Sequence, residues 1–396
     1  MDITINPRSL QGEIHAIPSK SMAHRIMICA AFADRPTMLL CPGTNRDMDA
    51  TADCLRALGA EICRTEQGYH VTPAKAIPGE AALPCCESGS TLRFLLPVVG
   101  ALGVDAVFYM EGRLPQRPLS PLWEEMERMG CTLTRPSENT LRCRGKLRSG
   151  RYCIDGGVSS QFITGLLLAL SLMEENSQLV ITGKIESRPY IALTKHVLSL
   201  FSVDPDVLGG QSFRSPGTLE VEGDWSNGAF YLAANAMGSQ CDVKGLNADS
   251  FQGDRAVVPI LKQLSLGMTT VDGADIPDLI PILSVVAACK HGAEFTNIQR
   301  LRLKESDRVA SVCAMLASLG CKAEAAENVL RVFPGKISGG TVDACNDHRI
   351  AMAAAIASTA ASGPVTILGA QCAEKSYPRF WADFVRLGGQ YEQHIR

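Results

Sequence analysis

No two of the chain's 15 cysteines have CxxC spacing, which argues against a disulfide frame or a zinc site. Cys85-Cys86 is the only cluster, so the thiols read as free and held in a reducing compartment. HExxH, P-loop and GxGxxG motifs are missing, and with them the zinc-protease, Walker-type and Rossmann readings. There is no excess of positive charge: the net charge of −3 leaves nothing for a general nucleic-acid surface. Apolar runs are short. At about 10–14 residues they suit a buried helix and fall below the length needed to cross a bilayer. The start, residues 1–14, lacks both the basic-then-apolar form of a signal peptide and an Arg/Ser-rich transit pattern, and the expected location is cytoplasmic. No segment is of low complexity. Hydrophobic residues make up 46% and charged residues 20%, as in a soluble globular protein.

What the chain does have is a repeat. A polar or glycine-rich loop ends in Ser or Asp and opens an apolar helix-like run at Ser21, Ser90, Ser160, Ser226, Asp278 and Asp347. The intervals are 69, 70, 66, 52 and 69 residues, a period that sets the architecture before any motif is weighed. Shorter amphipathic stretches ending in LGA, MGC, LGM, LGC and LGG run in phase, and Gly just past the last apolar position is a helix stop. Short strands such as HVTP, LRCRG, LEVEG and LRVFP follow. Six units exceed one core, so the expectation is an α/β (α+β type) fold of two domains with three units each. Ser and Asp as N-caps, followed by free helix N–H groups, make each opening a place for an anion.

The charged side chains collect at these openings. Lys20, Ser21 and Arg25 lie in SKSMAHR; Gly89 and Arg93 in ESGSTLRF; Arg117 in a proline-rich loop; Ser159, Ser160 and Gln161 in GGVSSQF; Ser187, Arg188 and Tyr190 in ESRPYI. Taken singly, each admits a structural explanation as cap, turn or solvated surface group. The second half adds acids. Asp278 sits between prolines as an N-cap or as a general base whose pKa burial would raise. Lys304, Glu305 and Arg308 fall within nine mostly charged residues, and His348 and Arg349 occupy a first helical turn, where the dipole disfavours a cation. Lys375 precedes another helix opening. Together, cations gathered at equivalent helix entrances of an acidic protein point to a strongly anionic small substrate. Acids and a histidine beside them point to proton transfer.

With these residues in view, the chain resembles the 5-enolpyruvylshikimate-3-phosphate (EPSP) synthase family over essentially its full length. The resemblance is carried by SKSMAHR, SGSTLRF, QRPL, SSQF, SRPY, IPD, KESDR, NDHR and Lys375, in family order and with family-like spacing. It implies a two-domain inverse α/β barrel of six βαβαββ units, three per domain. The expected domains are 19–224 and 1–18 plus 225–396, with the active site in the cleft between them, which ligand charge draws closed. It also implies transfer of the enolpyruvyl group of phosphoenolpyruvate to the 5-hydroxyl of shikimate 3-phosphate, with release of phosphate, by addition and elimination. No metal and no organic cofactor is implied. Neither nucleic acid nor membrane is a partner, and the expected state is a monomer.

By this resemblance the catalytic groups are Asp278, Glu305, Lys20, His348 and Lys375, with acid and base roles left open. Shikimate 3-phosphate falls to Lys20, Ser21, Arg25, Ser159, Ser160, Gln161, Ser187, Tyr190, Asp278 and Lys304. Phosphoenolpyruvate falls to Lys20, Gly89, Arg117, Gln161, Arg308, Arg349 and Lys375, a set that implies glyphosate as a competitor. The chain departs from the family in its shortness, centred on the 52-residue interval, and at Glu87, Ser90-Thr91 and Arg300. Three rivals share the scaffold or its units. A UDP-N-acetylglucosamine enolpyruvyl transferase would need a Cys where EGRLPQRP stands, and none lies between Cys86 and Cys131. RNA 3′-terminal phosphate cyclase would need a basic face. A catalytically dead binding scaffold would have lost Asp278, Glu305 or Lys20, and all three are present.

Overall fold

The six apolar runs form the helices Lys20–Ala31, Gly89–Leu102, Ser160–Ser171, Trp225–Ala236, Ile280–Cys289 and His348–Ala357, in a computed structural model that describes residues 1–394. A helix that is apolar on all sides is stable only where all sides are covered. These are covered: every residue from Met22 to Ala31 is buried, as is every residue of His348–Ala357. Each large apolar side chain so removed from water stabilises the fold by about 1.5–3 kcal/mol. The amphipathic stretches form Arg46–Ala57, Leu122–Arg128, Arg188–Leu200, Val257–Leu266, Arg308–Ser318 and Phe380–Arg386. Gly59 and Gly320 close two of them at φ 101° and 81°, the left-handed region in which a side chain is strained. Among the described residues, no helix is long and apolar enough to cross a membrane.

The caps differ from those expected. Ser19, Ser88, Ser159 and Asp224 accept backbone N–H bonds from Met22, Thr91, Gln161 and Asn227, so Ser21, Ser90, Ser160 and Ser226 lie inside their helices. The reason is backbone geometry: the earlier residue of each pair keeps the extended conformation a cap requires, as Ser19 does at φ −66° and ψ 109°. Asp278 caps nothing, because the helix begins at Ile280. Ser187 takes φ 55° and makes no side-chain cap bond. Asp347 caps its helix through a bond from the Arg349 N–H.

The chain divides into one unit of Pro18–Glu222 and another of Met1–Ile17 with Gly223 onward. Each has its own core, running from Met22 to Val221 in the first and from Ile3 to Leu387 in the second. Among the described residues, four sheets have four strands and two have two. All four larger sheets share one order, a parallel pair followed by two strands added antiparallel; in three of them those two strands are a hairpin whose second strand lies inside. Strands Glu80–Cys86, Asp105–Met110, Thr140–Gly145 and Cys131–Ser137 show it in that spatial order. Gly89–Leu102 is the crossover helix between the parallel pair.

Six full βαβαββ units were expected, and two are cut short. Arg151–Asp155 with Gln178–Thr182, and Gln11–His15 with Gln240–Lys244, are parallel pairs with no hairpin added. After Val257–Leu266 the chain passes directly into strand Thr269–Asp272, which accounts for the 52-residue interval. Two strands are also exchanged in sequence. Thr218–Glu220 pairs with Thr37–Leu40 in the first unit, while Gln11–His15 pairs with Gln240–Lys244 in the second. Strand Asp2–Ile5 completes the last sheet between Val365–Leu368 and Tyr391–His394.

Candidate active site

In the unit Pro18–Glu222 the buried Arg25 is held by neutral groups. Arg25 is 2% exposed, and its guanidinium donates to Thr194 Oγ1 (2.8 Å), the Ser21 carbonyl (2.6 Å), Thr164 Oγ1 (3.2 Å) and the Tyr190 carbonyl (3.2 Å). Its Cζ lies 4.8 Å from the Phe94 ring centre. Burial without a carboxylate partner draws its pKa down to about 10, still a full charge at neutral pH. Arg93 donates to Gln161 Oε1 at 2.7 Å and to the Pro118 carbonyl at 3.0 Å, and Gln161 Nε2 donates to Ser90 Oγ at 3.0 Å. These bonds depend on two helices meeting closely. A Cβ on Gly165 would stand 2.2 Å from the Arg93 carbonyl oxygen, so glycine is what lets Ser160–Ser171 approach Gly89–Leu102.

Gly89 is the first residue of its helix, and a Cβ there would lie 2.6 Å from Arg117 Nη1. The guanidinium therefore occupies the space a side chain would take. Lys20, the first residue of Lys20–Ala31, donates to Asp47 Oδ2 at 2.8 Å. Asp47 was not anticipated; it lies in the first turn of Arg46–Ala57, and nothing local in the sequence pairs it with Lys20. Ser159 is spent as a cap, Ser160 is buried in the first turn, and Ser187 is buried beside the exposed Arg188. The Tyr190 carbonyl also accepts from Thr194 Oγ1 at 2.8 Å.

The second unit builds a different site, in which cations meet carboxylates. Arg308 opens its helix, is 1% exposed, and is surrounded by three acids. Nη1 donates to Asp278 Oδ1 at 2.6 Å, Nη2 to Glu305 Oε2 at 2.8 Å, and Nε to Asp347 Oδ2 at 2.8 Å. Burial works against its charge, but Asp347, Glu305 and Asp278 outweigh that and hold its pKa well above the ordinary value. Arg349 donates to the Ser226 carbonyl at 2.9 Å and approaches Asp278 Oδ2 at 3.5 Å. Lys304 Nζ lies 4.0 Å from Asp278 Oδ1.

Asp278 thus has cations on both oxygens. The expectation that burial would raise its pKa is reversed. Burial does push it upward, but Arg349, Lys304 and Arg308 together hold the carboxyl well below its usual range. Burial brings Lys304 down to about 8 despite the attraction of Asp278. Behind this group, Asp254 is 1% exposed and accepts from the Ser226 hydroxyl; burial first and the Asp278 charge second push it up to about 7. Neither Asp254 nor Asp347 was among the expected site residues. His348 is buried with Nδ1 4.0 Å from Asp347 Oδ1, and Lys375 Nζ donates to the Asn346 carbonyl at 3.3 Å. A planar anion can replace a carboxylate on the Arg308 fork, because a guanidinium offers paired parallel donors.

Helix starts furnished with arginine and lysine, on repeated α/β units with paired acids nearby, define a protein of the kind that binds small polyanions and moves protons. The comparisons narrow this. The family described as EPSP synthase (3-phosphoshikimate 1-carboxyvinyltransferase) matches residues 5–274 and 265–384, and this chain belongs to it. A 3-phosphoshikimate 1-carboxyvinyltransferase of Clostridium kluyveri is 36% identical over 426 residues, covering 99% of this chain and 98% of that one. The enzyme of the same name from Clostridium beijerinckii is 36% identical over 428 residues, with 99% and 98% covered. Both alignments are longer than the 396 residues of this chain, in keeping with its shortened units. Two EPSP synthase structures from Acinetobacter baumannii share the fold. One has a TM-score of 0.79 at 23% identity, covering 99% of this chain and 100% of that one. The other has a TM-score of 0.80 at 21% identity, with 100% of both covered.

Proposed function

We propose that this chain transfers the enolpyruvyl group of phosphoenolpyruvate to the 5-hydroxyl of shikimate 3-phosphate and releases phosphate. The observation that carries the reading is Arg308 clasped by Asp278, Glu305 and Asp347, with Arg349 and Lys304 on the same Asp278. Such a group offers a carboxylate receptor and proton carriers in one place. Addition forms a bond from the 5-oxygen to the central carbon of phosphoenolpyruvate, while the hydroxyl loses a proton and the methylene gains one. Elimination removes a proton from the new methyl group and breaks the bond to phosphate.

The roles follow the surroundings of each residue. Asp278, held ionised by its cations, accepts from the 5-hydroxyl with Lys20 on the same side of the reaction. Glu305, bonded to Arg308 and 30% exposed, serves the methylene carbon. His348 and Lys375 support proton movement. Arg308 and Arg349 take the phosphoenolpyruvate carboxylate. Lys20, the Gly89 backbone, Arg117, Gln161 and Lys375 take its phosphate, the subsite in which glyphosate would compete. Ser21, Arg25, Ser159, Ser160, Gln161, Ser187, Tyr190 and Lys304 take shikimate 3-phosphate; for Arg25 this means sharing a guanidinium already bonded to Thr194 and Thr164. The reading includes a monomeric cytoplasmic enzyme with no resident metal or organic cofactor.

The test is phosphate release from phosphoenolpyruvate with shikimate 3-phosphate or UDP-N-acetylglucosamine as acceptor. Release with shikimate 3-phosphate alone, lost in Asp278→Ala, is expected. Release with the nucleotide sugar alone would make the acceptor wrong. Release with neither, from folded protein, would leave a binding scaffold.

A further inference from the structure

A buried chain of hydroxyl groups ties three helices together in the unit Pro18–Glu222. His24 Nδ1 lies 2.7 Å from Thr51 Oγ1, Thr51 Oγ1 lies 2.7 Å from Thr91 Oγ1, and Thr91 Oγ1 donates to Ser88 Oγ at 2.7 Å. All four side chains are buried. His24 belongs to Lys20–Ala31, Thr51 to Arg46–Ala57 and Thr91 to Gly89–Leu102, for which Ser88 is the cap.

Counting protons gives the chain a direction, because each hydroxyl has one proton to donate. Thr91 donates to Ser88, with the Asp47 carbonyl a longer second acceptor at 3.4 Å. Its oxygen therefore accepts from Thr51. With the Thr51 proton committed, His24 must donate through Nδ1–H. The ring is neutral, since burial lowers its pKa to about 3. Its Nε2 is a bare acceptor, buried and without a hydrogen-bond partner among the described residues. At the other end, Ser88 Oγ accepts both the Thr91 N–H at 3.2 Å and the Thr91 hydroxyl, and its own proton has no acceptor among the described residues.

That proton sits one residue ahead of Gly89, at the helix end where the Arg117 guanidinium fills the space a Cβ would occupy. An orphaned imidazole nitrogen in a core is unfavourable, and an apolar residue would relieve it. What the imidazole secures is the direction of the chain. With the other tautomer Nδ1 would accept, every bond would reverse, and Ser88 would turn a lone pair outward.

We propose that His24 is a positioning residue: it polarises the Thr51–Thr91–Ser88 chain so that the Ser88 hydroxyl donates to the phosphate of phosphoenolpyruvate beside Gly89 and Arg117. This rests on the phosphoenolpyruvate reading above. A helix start already favours an oxyanion, and a hydroxyl donor fixed in direction adds a charge-assisted bond, whereas a lone pair would repel the same ligand.

The experiment compares Thr91→Val, His24→Leu and His24→Asn with the unaltered protein, reading kcat, both KM values and the thermal midpoint. Thr91→Val breaks the chain at nearly constant shape. His24→Asn keeps an N–H donor near the Nδ1 position. In Thr91→Val and His24→Leu the KM for phosphoenolpyruvate should rise about tenfold, the effect of one lost bond, with the KM for shikimate 3-phosphate unchanged. His24→Asn should restore it to within about twofold. An unchanged phosphoenolpyruvate KM in Thr91→Val overturns the proposal, as does His24→Asn behaving like His24→Leu, or both KM values shifting together with the midpoint. Should Thr91→Val not fold, Ser88→Ala removes the donor itself, and an unchanged phosphoenolpyruvate KM there is equally fatal. If the unaltered protein releases no phosphate with shikimate 3-phosphate, the functional reading fails and this proposal with it. Turnover in the unaltered protein, with the same phosphoenolpyruvate KM in Thr91→Val, sinks the hydroxyl chain alone.

Discussion

Arg25 and Arg308 are both buried arginines, one in each unit, the first in the second turn of its helix and the second opening its own, and they are satisfied in opposite ways. Arg25 is bonded to two threonine hydroxyls and two carbonyls; Arg308 is bonded to three carboxylates. A guanidinium on neutral partners keeps its charge uncancelled, which draws an anion without asking any protein acid to move. A guanidinium on carboxylates is already cancelled, so an incoming anion must exchange with one of them, and the displaced acid becomes free to take or give a proton. The first arrangement suits holding a phosphorylated substrate. The second suits chemistry.

The largest test of this contrast is removal of the two arginines. Arg308→Ala leaves Asp278, Glu305 and Asp347 facing one another and should cost about 3–5 kcal/mol of stability and all measurable turnover. Arg25→Ala leaves only neutral partners and should cost about 1–3 kcal/mol. Thermal and denaturant unfolding of both variants would show it; equal costs would break the comparison. Next in size is Gly89→Ala. A Cβ 2.6 Å from Arg117 Nη1 must push the guanidinium aside, and the KM for phosphoenolpyruvate should rise about tenfold while that for shikimate 3-phosphate holds.

A smaller effect comes from pH. Lys304 titrates at about 8, below its ordinary value, so the ammonium is present below that pH and lost as pH rises through it. The KM for shikimate 3-phosphate should therefore climb above pH 8, by a few-fold per unit at about 1.4 kcal/mol per unit at most. In Lys304→Arg, whose side chain stays charged, the climb should vanish. A climb of the same size in Lys304→Arg would assign the titration to another group.

Much of the scaffold could be read in the sequence because it rests on local pattern. Apolar runs without a polar face have to be buried, and Gly after an amphipathic run ends a helix; Gly59 and Gly320 do so. The caps were misplaced by one or two residues because Ser19/Ser21, Ser88/Ser90 and Ser159/Ser160 offer two candidates each, and only the backbone angles choose. Two units lack their hairpins, and two strands change partners where the chain passes between units. Neither leaves a mark on the local pattern beyond one short interval. The charged residues were legible by type and position, but not their partners. Lys20 meets Asp47 27 residues away and Arg25 meets Thr194 169 residues away. The sign of the Asp278 shift needed three cations from two other segments, which the burial argument from IPDLIP left out. Nothing in the local pattern singles out His24, whose neighbours lie across two other helices.

The most direct measurement is shikimate 3-phosphate binding, by calorimetry, beside phosphate release in Glu305→Gln. That change removes a carboxylate from Arg308 without touching the neutral scaffolding of the other unit. Binding should stay within a few-fold of the unaltered protein while turnover falls at least about 100-fold, the usual share of a proton-transfer group. Turnover that survives, or binding that is lost in step with it, would contradict the division between Arg25, which holds an anion on neutral partners, and Arg308, whose carboxylates move the proton.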